Sequence, residues 1–419
     1  MNRTAKENYN TTMIGGWRRL VILLFFINVL NYVDRQIPFI LIEQIKQDLL
    51  LSDAEIGIVS GLTFTIVYSI ASVPLANLSD RWSPRGVLMI SIVTWCGLTA
   101  LSGLTRSLWQ FGATRIGVAA GEAGCTPTSH SLISSFVPPS RRAMAIAVFS
   151  LGVPIGGMLG LIAGGWLGDA FGWRMTMVII GLPGLLLAFG VFAIVPRSRN
   201  DQDRERSRLT FAMFGEIFRL RTMGWIVGGV SMQGVALYAV YSFAAAFLMR
   251  SYGISMSEAG LGLGIANGVS GIFGLIVGGW LASVNNQRAL FWAAIGFLAS
   301  APLIWLACAT TEYMLALVLL SMFNFTATLH MPTTFGTVQA LAPAGRKAMA
   351  TSLIIAGIGL IGGSLGPVGA GLLSDLFAPV YGENALKVAL SFSCVPVLVA
   401  GFMILKASKL VDADMVRAA

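Results

Sequence analysis

Four ionisable residues lie where an apolar chain should hold none. Asp34 and Arg35 are adjacent within "LVILLFFINVLNYVDRQIPFILI", and Arg115 and Glu122 stand seven residues apart in "RIGVAAGEAG". Each such residue costs about 2.5–3.5 kcal/mol at the centre of a membrane helix, so charges retained there face protein or water and pair with one another. Seven helical steps of about 100° end within about 20° of the start, so Arg115 and Glu122 share a face, roughly 10 Å apart. Ala119, Ala120, Gly121, Ala123 and Gly124 leave space in front of Glu122. The chemistry open to this set is proton transfer. Burial favours the neutral form of a carboxyl, and a neighbouring guanidinium favours the charged form. A carboxyl balanced between them can take up and release protons as its surroundings open to one side, then the other. Glu122 is the first expected proton carrier and Asp34 the second. Arg35 and Arg115 stay charged and would hold a carboxylate or meet an anionic group of a ligand. The competing reading is structural: paired charges that lock two helices together.

The elements that position these groups are membrane-spanning helices. The 419-residue chain is 56% hydrophobic and only 11% charged, against about 25% charged in soluble proteins. Twelve apolar runs are present, at about 18–45, 53–78, 86–104, 108–136, 142–168, 173–195, 223–249, 257–283, 289–310, 313–340, 347–374 and 384–405. Each approaches or exceeds the roughly 20 residues that a helical crossing needs. The first run is too long for a cleavable signal and lacks a small-residue cleavage site, so it is expected to stay as a span. With the N-terminus inside, the inner segments hold 21 Lys/Arg and the outer loops 5. That bias predicts cytoplasmic N- and C-termini, and it assigns the net charge of +9 to topology rather than to nucleic acid. Measured from the inner ends, Asp34 lies 16 residues along the first run and Glu122 lies 15 along the fourth. At about 1.5 Å per residue the two depths agree, so all four charges are expected in one cluster.

A shift of 205 residues aligns "PTSHSLISSFVPPSRRAMA" (127–145) on "PTTFGTVQALAPAGRKAMA" (332–350) without gaps. The fourth run, its loop and the fifth run are thus repeated as the tenth, its loop and the eleventh, and the halves point the same way through the membrane. The expected fold is an all-α membrane protein of twelve transmembrane helices in two parallel six-helix bundles. Residues 1–195 form the N-terminal bundle, 196–222 a cytoplasmic linker, and 223–419 the C-terminal bundle. Within the linker, "FAMFGEIFRL" (211–220) places Phe211, Phe214 and Phe218 on one face, as in an amphipathic helix at a membrane surface. The same offset sets Leu320 opposite Arg115 and Ala327 opposite Glu122, so the intramembrane charges belong to one half only. A scaffold requirement would recur in both halves, whereas a functional site need not.

Gly152, Gly156, Gly160, Gly164 and Gly168 form a four-residue ladder that lets a neighbouring helix approach closely. His330, Tyr238, Tyr241 and Asn324 are candidates for lining a cavity in the second half, each weighed against ordinary packing. The four cysteines all fall within apolar runs and read as small buried hydrophobes rather than disulfide or metal partners. An enzyme is not expected, since no nucleophile–base pair, metal cluster or GxxxxGK[ST] loop is present.

The loop "ANLSDRWSPRGVL" (76–88) resembles the major facilitator superfamily signature G-x-L-a-D-r-x-G-r-k-x-x-l. Leu78, Asp80, Arg81, Arg85 and Leu88 match, while Ala76 and Ser83 replace its glycines. "RIGVAAGEAG" and "GVPIGG" (152–157) resemble that superfamily's motifs in the fourth and fifth helices. More narrowly, "LNYVDRQIP" together with "GEAG" is similar to the Spinster family. This resemblance implies a secondary transporter of the bacterial inner-membrane type, working by alternating access and coupled to protons. It further implies substrates among lysolipids or sphingolipid-like amphiphilic anions. The proton gradient would be the driving force, with no cofactor or metal, and the multi-pass protein would act as a monomer among membrane lipids. It also implies a cytoplasmic gate in which Asp80, supported by Arg81 and Arg85, approaches the helix that follows Arg346. The close alternative is an organic-anion, sugar-acid or drug transporter of the same superfamily. From another class comes a non-transporting lipid receptor or scramblase.

Overall fold

A bilayer offers no partners to backbone amides, so a chain this apolar satisfies them within helices. The computed structural model describes residues 3–195, 220–283, 286–342 and 347–418, and among these there are helices but no strands. Nine helical stretches among the described residues are long and apolar enough to cross a membrane. Two of them, Pro139–Ile194 with 56 residues and Ala350–Val416 with 67, exceed the length of one crossing. Large apolar side chains are exposed along these nine stretches, Trp166, Leu186, Phe189 and Ile276 among others, as expected where the surrounding solvent is hydrocarbon. The expected amphipathic segment 211–220 lies outside the described residues, apart from Leu220.

Prolines and glycines set where these helices bend. The first helix runs Arg3–Ile40 and resumes as Ile42–Leu49 after a bend at Leu41. Pro38 within it has no amide hydrogen, so the Asp34 carbonyl loses its intrahelical partner. The fourth run, expected as one helix over 108–136, is two: Leu108–Glu122 and Cys125–Phe136. Pro127 provides the reason, because its ring conflicts with the carbonyl of Ala123, four residues earlier. Glu122 is therefore a terminal residue of its helix rather than a mid-helix one. Between Gly152 and Gly181 the chain kinks at Gly172, whose φ of 74° belongs to the left-handed region.

The described residues form two compact units. One comprises the chain up to Pro38 and from Val67 to residue 195; the other comprises Phe39–Ile66 and the chain from residue 220 on. In the first unit the predicted glycine ladder packs on the first helix. A Cβ on Gly156 would lie 2.4 Å from the Val29 carbonyl oxygen, and one on Gly160 would lie 2.9 Å from that of Val33. In the second unit, Gly57 and Gly61 press on Pro367, and a Cβ on Gly371 would lie 2.3 Å from the Asp53 carbonyl oxygen.

The internal repeat extends further than the sequence alignment. Ser52 opens Asp53–Ile56 with a capping box, its side chain accepting from the Glu55 amide while the Glu55 carboxylate accepts from the Ser52 amide. Ser255 and Glu258 do the same for Met256–Ala282, 203 residues later. Each box follows a left-handed residue, Leu50 or Gly253.

Candidate functional site

The first unit brings the four predicted charges together. Arg35, on the first helix, donates from Nε to Glu122 Oε2 at 2.7 Å. Its guanidinium lies against two rings, 4.9 Å from the centre of Tyr32 and 4.5 Å from that of Tyr68. Such stacking holds a guanidinium by cation–π attraction and restricts its rotation. Asp34 is 2% exposed and accepts a 2.8 Å hydrogen bond at Oδ2 from the Thr99 hydroxyl. Glu122 is fully buried and Arg115 is 2% exposed. The Asp34 and Glu122 carboxyls interact with each other, and both feel Arg35 and Arg115.

Each carboxyl is half-satisfied. Glu122 Oε1 and Asp34 Oδ1 are buried with no hydrogen-bond donor. A buried acceptor without a donor costs roughly 1–3 kcal/mol, and more when charged. A single proton held by the pair would give an unpaired oxygen a donor and reduce the buried negative charge. The arrangement is thus suited to hold a proton, with Arg35 fixing one oxygen of Glu122 and Thr99 fixing one oxygen of Asp34.

The remaining predicted residues are placed as follows. His330 is 2% exposed, bonds the Ala327 carbonyl through Nδ1 and lies 4.7 Å from the Phe297 ring centre, packed between two helices of the second unit. Tyr238 is half-buried beside Gly366. Tyr241 donates its hydroxyl to Asn324, which is buried. Arg85 donates at 2.6 Å to the Phe192 carbonyl and lies over that ring, so it closes the end of the Pro183–Ile194 helix within its own unit. Arg81 is exposed. Arg346 and the side chain of Asp80 lie outside the described residues.

Residues 24–367 match the Major Facilitator Superfamily. The chain belongs to that superfamily. Among the relatives of this superfamily member is an MFS-type efflux pump of Mycolicibacterium smegmatis, 32% identical over 378 residues, covering 88% of this chain and 87% of that one. A probable L-galactonate transporter of Escherichia coli is 26% identical, covering 85% and 82% of the two chains. Protein spinster homolog 1 of Xenopus tropicalis is 26% identical, covering 70% and 60%. A crystal structure of a bacterial homolog to the human lysosomal transporter Spinster, inward-facing and occupied, superposes with a TM-score of 0.83. It covers 95% of this chain and 98% of that one at 24% identity, a likeness of fold. The expected superfamily and the likeness to Spinster are both met. The chain is an integral multi-pass membrane transporter, not an enzyme.

Sequence reading missed a second charged cluster in this superfamily protein. Arg250, in the last turn of Arg221–Tyr252, donates to both oxygens of Asp53 at 2.8 Å and to Glu43 at 2.9 and 2.5 Å. Asp53 also accepts from Lys46 at 2.7 Å and from Ser374 at 2.6 Å. The Asp375 carboxylate accepts from the amides of Asp53 and Ala54, at 3.1 and 2.9 Å. There it supplies the negative charge that a helix start favours. In the sequence Lys46 and Arg250 are two of the five Lys/Arg of the outer loops, with nothing to mark them as partners. The legible signal was the acidic residue beside a capping serine, "LSDAE", at the edge of an apolar run.

Proposed function

We propose that this chain is a proton-coupled secondary transporter of amphiphilic anions such as lysolipids, with twelve transmembrane helices, cytoplasmic termini and two halves that alternately expose a central site. The observation that carries the reading is the buried pair Asp34 and Glu122, each with one oxygen fixed and one unpaired. A carboxyl pair of this kind exchanges a proton when water reaches it. Protonation frees Arg35 from its full electrostatic hold on Glu122, and Arg35, 21% exposed at its side chain, then meets the anionic group of a substrate. Proton and substrate thus compete for the charge balance of one site, which is the physical basis of coupling. Two stretches long enough for two crossings each, and the broken Leu108–Phe136 segment, support a count of twelve. The loop holding Asp80, Arg81, Arg85 and, in the other half, Arg346 serves as the cytoplasmic gate in this reading, and the protein works as a monomer.

The likeness to spinster homologues supports the amphiphile, and the probable L-galactonate transporter supports a sugar acid as the second reading. The deciding measurement is proton flux in weakly buffered proteoliposomes as lysolipids or sugar acids are added, comparing wild type with Glu122→Gln. Flux evoked by lysolipids and lost in the variant supports the proposal. Flux evoked by sugar acids alone transfers it to the second reading. Ligand binding without any flux removes proton coupling and favours a receptor or scramblase.

A further inference from the structure

Thr99 lies on the helix Pro84–Ser102, and its hydroxyl bonds outside that helix. Other helical hydroxyls return their hydrogen to the preceding turn of their own helix: Ser102 to Leu98, Thr176 to Gly172, Thr334 to His330 and Thr337 to Thr333. That local bond is always within reach of a serine or threonine in a helix. Thr99 instead donates to Asp34 Oδ2 on the first helix, at 2.8 Å and 65 residues away in the chain. Thr99 is fully buried and Asp34 is 2% exposed, so water does not compete for this bond.

Chemistry fixes the direction of the bond. An ionised carboxylate only accepts, so the threonine hydroxyl supplies the hydrogen. With Asp34 Oδ2 taken by Thr99 and Glu122 Oε2 taken by Arg35, an added proton falls to the oxygens that lack a donor, Asp34 Oδ1 and Glu122 Oε1. Two close backbone approaches, both within the first unit, hold the hydroxyl in place. A Cβ on Gly121 would lie 2.9 Å from the Trp95 amide nitrogen, and one on Gly181 would lie 2.5 Å from the Cys96 carbonyl oxygen. Trp95 and Cys96 stand one turn before Thr99, so moving the hydroxyl away from Asp34 means opening packed contacts on two sides.

We infer that Thr99 is a positioning residue that sets the pH at which the Asp34–Glu122 pair takes up its proton. The inference rests on the proposed function, in which that pair carries the proton, and it adds a residue from a third helix. A hydrogen bond donated to the charged form of an acid favours that form. Thr99 thus opposes loading, and a carrier needs such opposition, because it must release its proton as well as bind it. Arg35 and Arg115 already balance the two carboxylates, and a neutral donor adjusts the pair without adding a third positive charge. The groups facing the pair and Arg35 are Arg115, Cys96, Cys125, Tyr32 and Tyr68. A substitution at Thr99 leaves all of them in the chain, so a change in loading reports the lost hydroxyl.

The test is an infrared pH titration of the full chain in nanodiscs, without substrate, following the C=O stretch of a protonated buried carboxyl. The band of the pair is the one that the double variant Asp34→Asn, Glu122→Gln removes. Thr99→Val keeps the branched shape and removes the donor, and its midpoint should rise by about one pH unit, the scale of one hydrogen bond to a charged group. Thr99→Ser returns the hydroxyl and should bring the midpoint back to that of wild type, a rescue that a packing role does not predict. An unchanged or lowered midpoint in Thr99→Val, or equal shifts in both variants, overturns the inference and leaves the pair as the proton holder. If no band is lost in the double variant, the proton-holding pair falls and the inference with it. A raised midpoint rescued by serine, in a protein with no lysolipid-evoked proton flux, upholds the inference and removes the coupling.

Discussion

Arg250 grips Asp53 through two hydrogen bonds of 2.8 Å, one from each terminal guanidinium nitrogen, across 197 residues of chain. A planar fork matched to a carboxylate in this way fixes geometry as well as charge. Ser374, Lys46 and Glu43 complete the set, so within the second unit the segment Phe39–Ile66 is fastened to the helices Arg221–Tyr252 and Gly363–Tyr381 by ions as well as by its glycine contacts.

Arg250→Lys is accordingly not conservative. Lysine supplies a point charge without the fork, and one carboxylate would lose half of its bidentate contact. Asp53→Ala is more severe, because it leaves Arg250 without its forked partner and strips Lys46 and Ser374 of theirs. Breaking a buried pair from one side typically costs about 3–5 kcal/mol. The thermal unfolding midpoint in detergent should fall in the order wild type, Arg250→Lys, Asp53→Ala. An unchanged midpoint in Asp53→Ala would show that the cluster contributes nothing to stability.

Glu122→Gln keeps the shape of the side chain and removes its ability to exchange a proton. Uptake driven by a pH gradient should be abolished, while counterflow exchange at equal pH should persist within a few-fold of wild type. Accumulation that survives would make Asp34 the carrier, and Asp34→Asn would then show the same split.

Arg35 stacks on Tyr32 and Tyr68 while it donates to Glu122. Arg35→Lys should therefore weaken binding of anionic lysolipids by about tenfold, the scale of one charge-assisted hydrogen bond. Zwitterionic lysolipids should lose much less. Titrations showing equal loss for both classes would assign Arg35 to structure rather than to recognition.

Neighbouring glycines separate packing from composition. Gly156→Ala puts a methyl 2.4 Å from the Val29 carbonyl oxygen, whereas a Cβ on Gly157 meets nothing within 4 Å. Overpacking of this kind costs about 1–3 kcal/mol. Gly156→Ala should lower the unfolding midpoint by several degrees and Gly157→Ala should not, a comparison that fails if both behave alike.

Much of the site was readable in the sequence because lipid makes charge conspicuous. Asp34, Arg35, Arg115 and Glu122 stood out against their apolar runs, and helical geometry placed them at one depth, where the structure unites them. The glycine ladder was readable for the same reason: its spacing of four is a helical face. Tyr241 and Asn324 carried no such mark, since neutral polar residues in a membrane helix are compatible with plain packing. The break after Glu122 had a local cause in Pro127, yet the run was expected as one helix, because apolar length measures a crossing and not its continuity.

The sequence by itself determined that the chain crosses a membrane repeatedly as helices, that its halves repeat, and that four charges need one another. Each of these follows from local chemistry: backbone amides that lipid cannot satisfy, repeated segments, and the cost of unpaired charge. Tertiary structure decided the partners. It placed Thr99 on Asp34, Arg35 Nε on Glu122 Oε2, and Asp375 on the amides of Asp53 and Ala54. A hydrogen bond depends on angstroms between side chains far apart in the chain, and helical period and hydropathy fix a residue's face and depth but not the atom it meets.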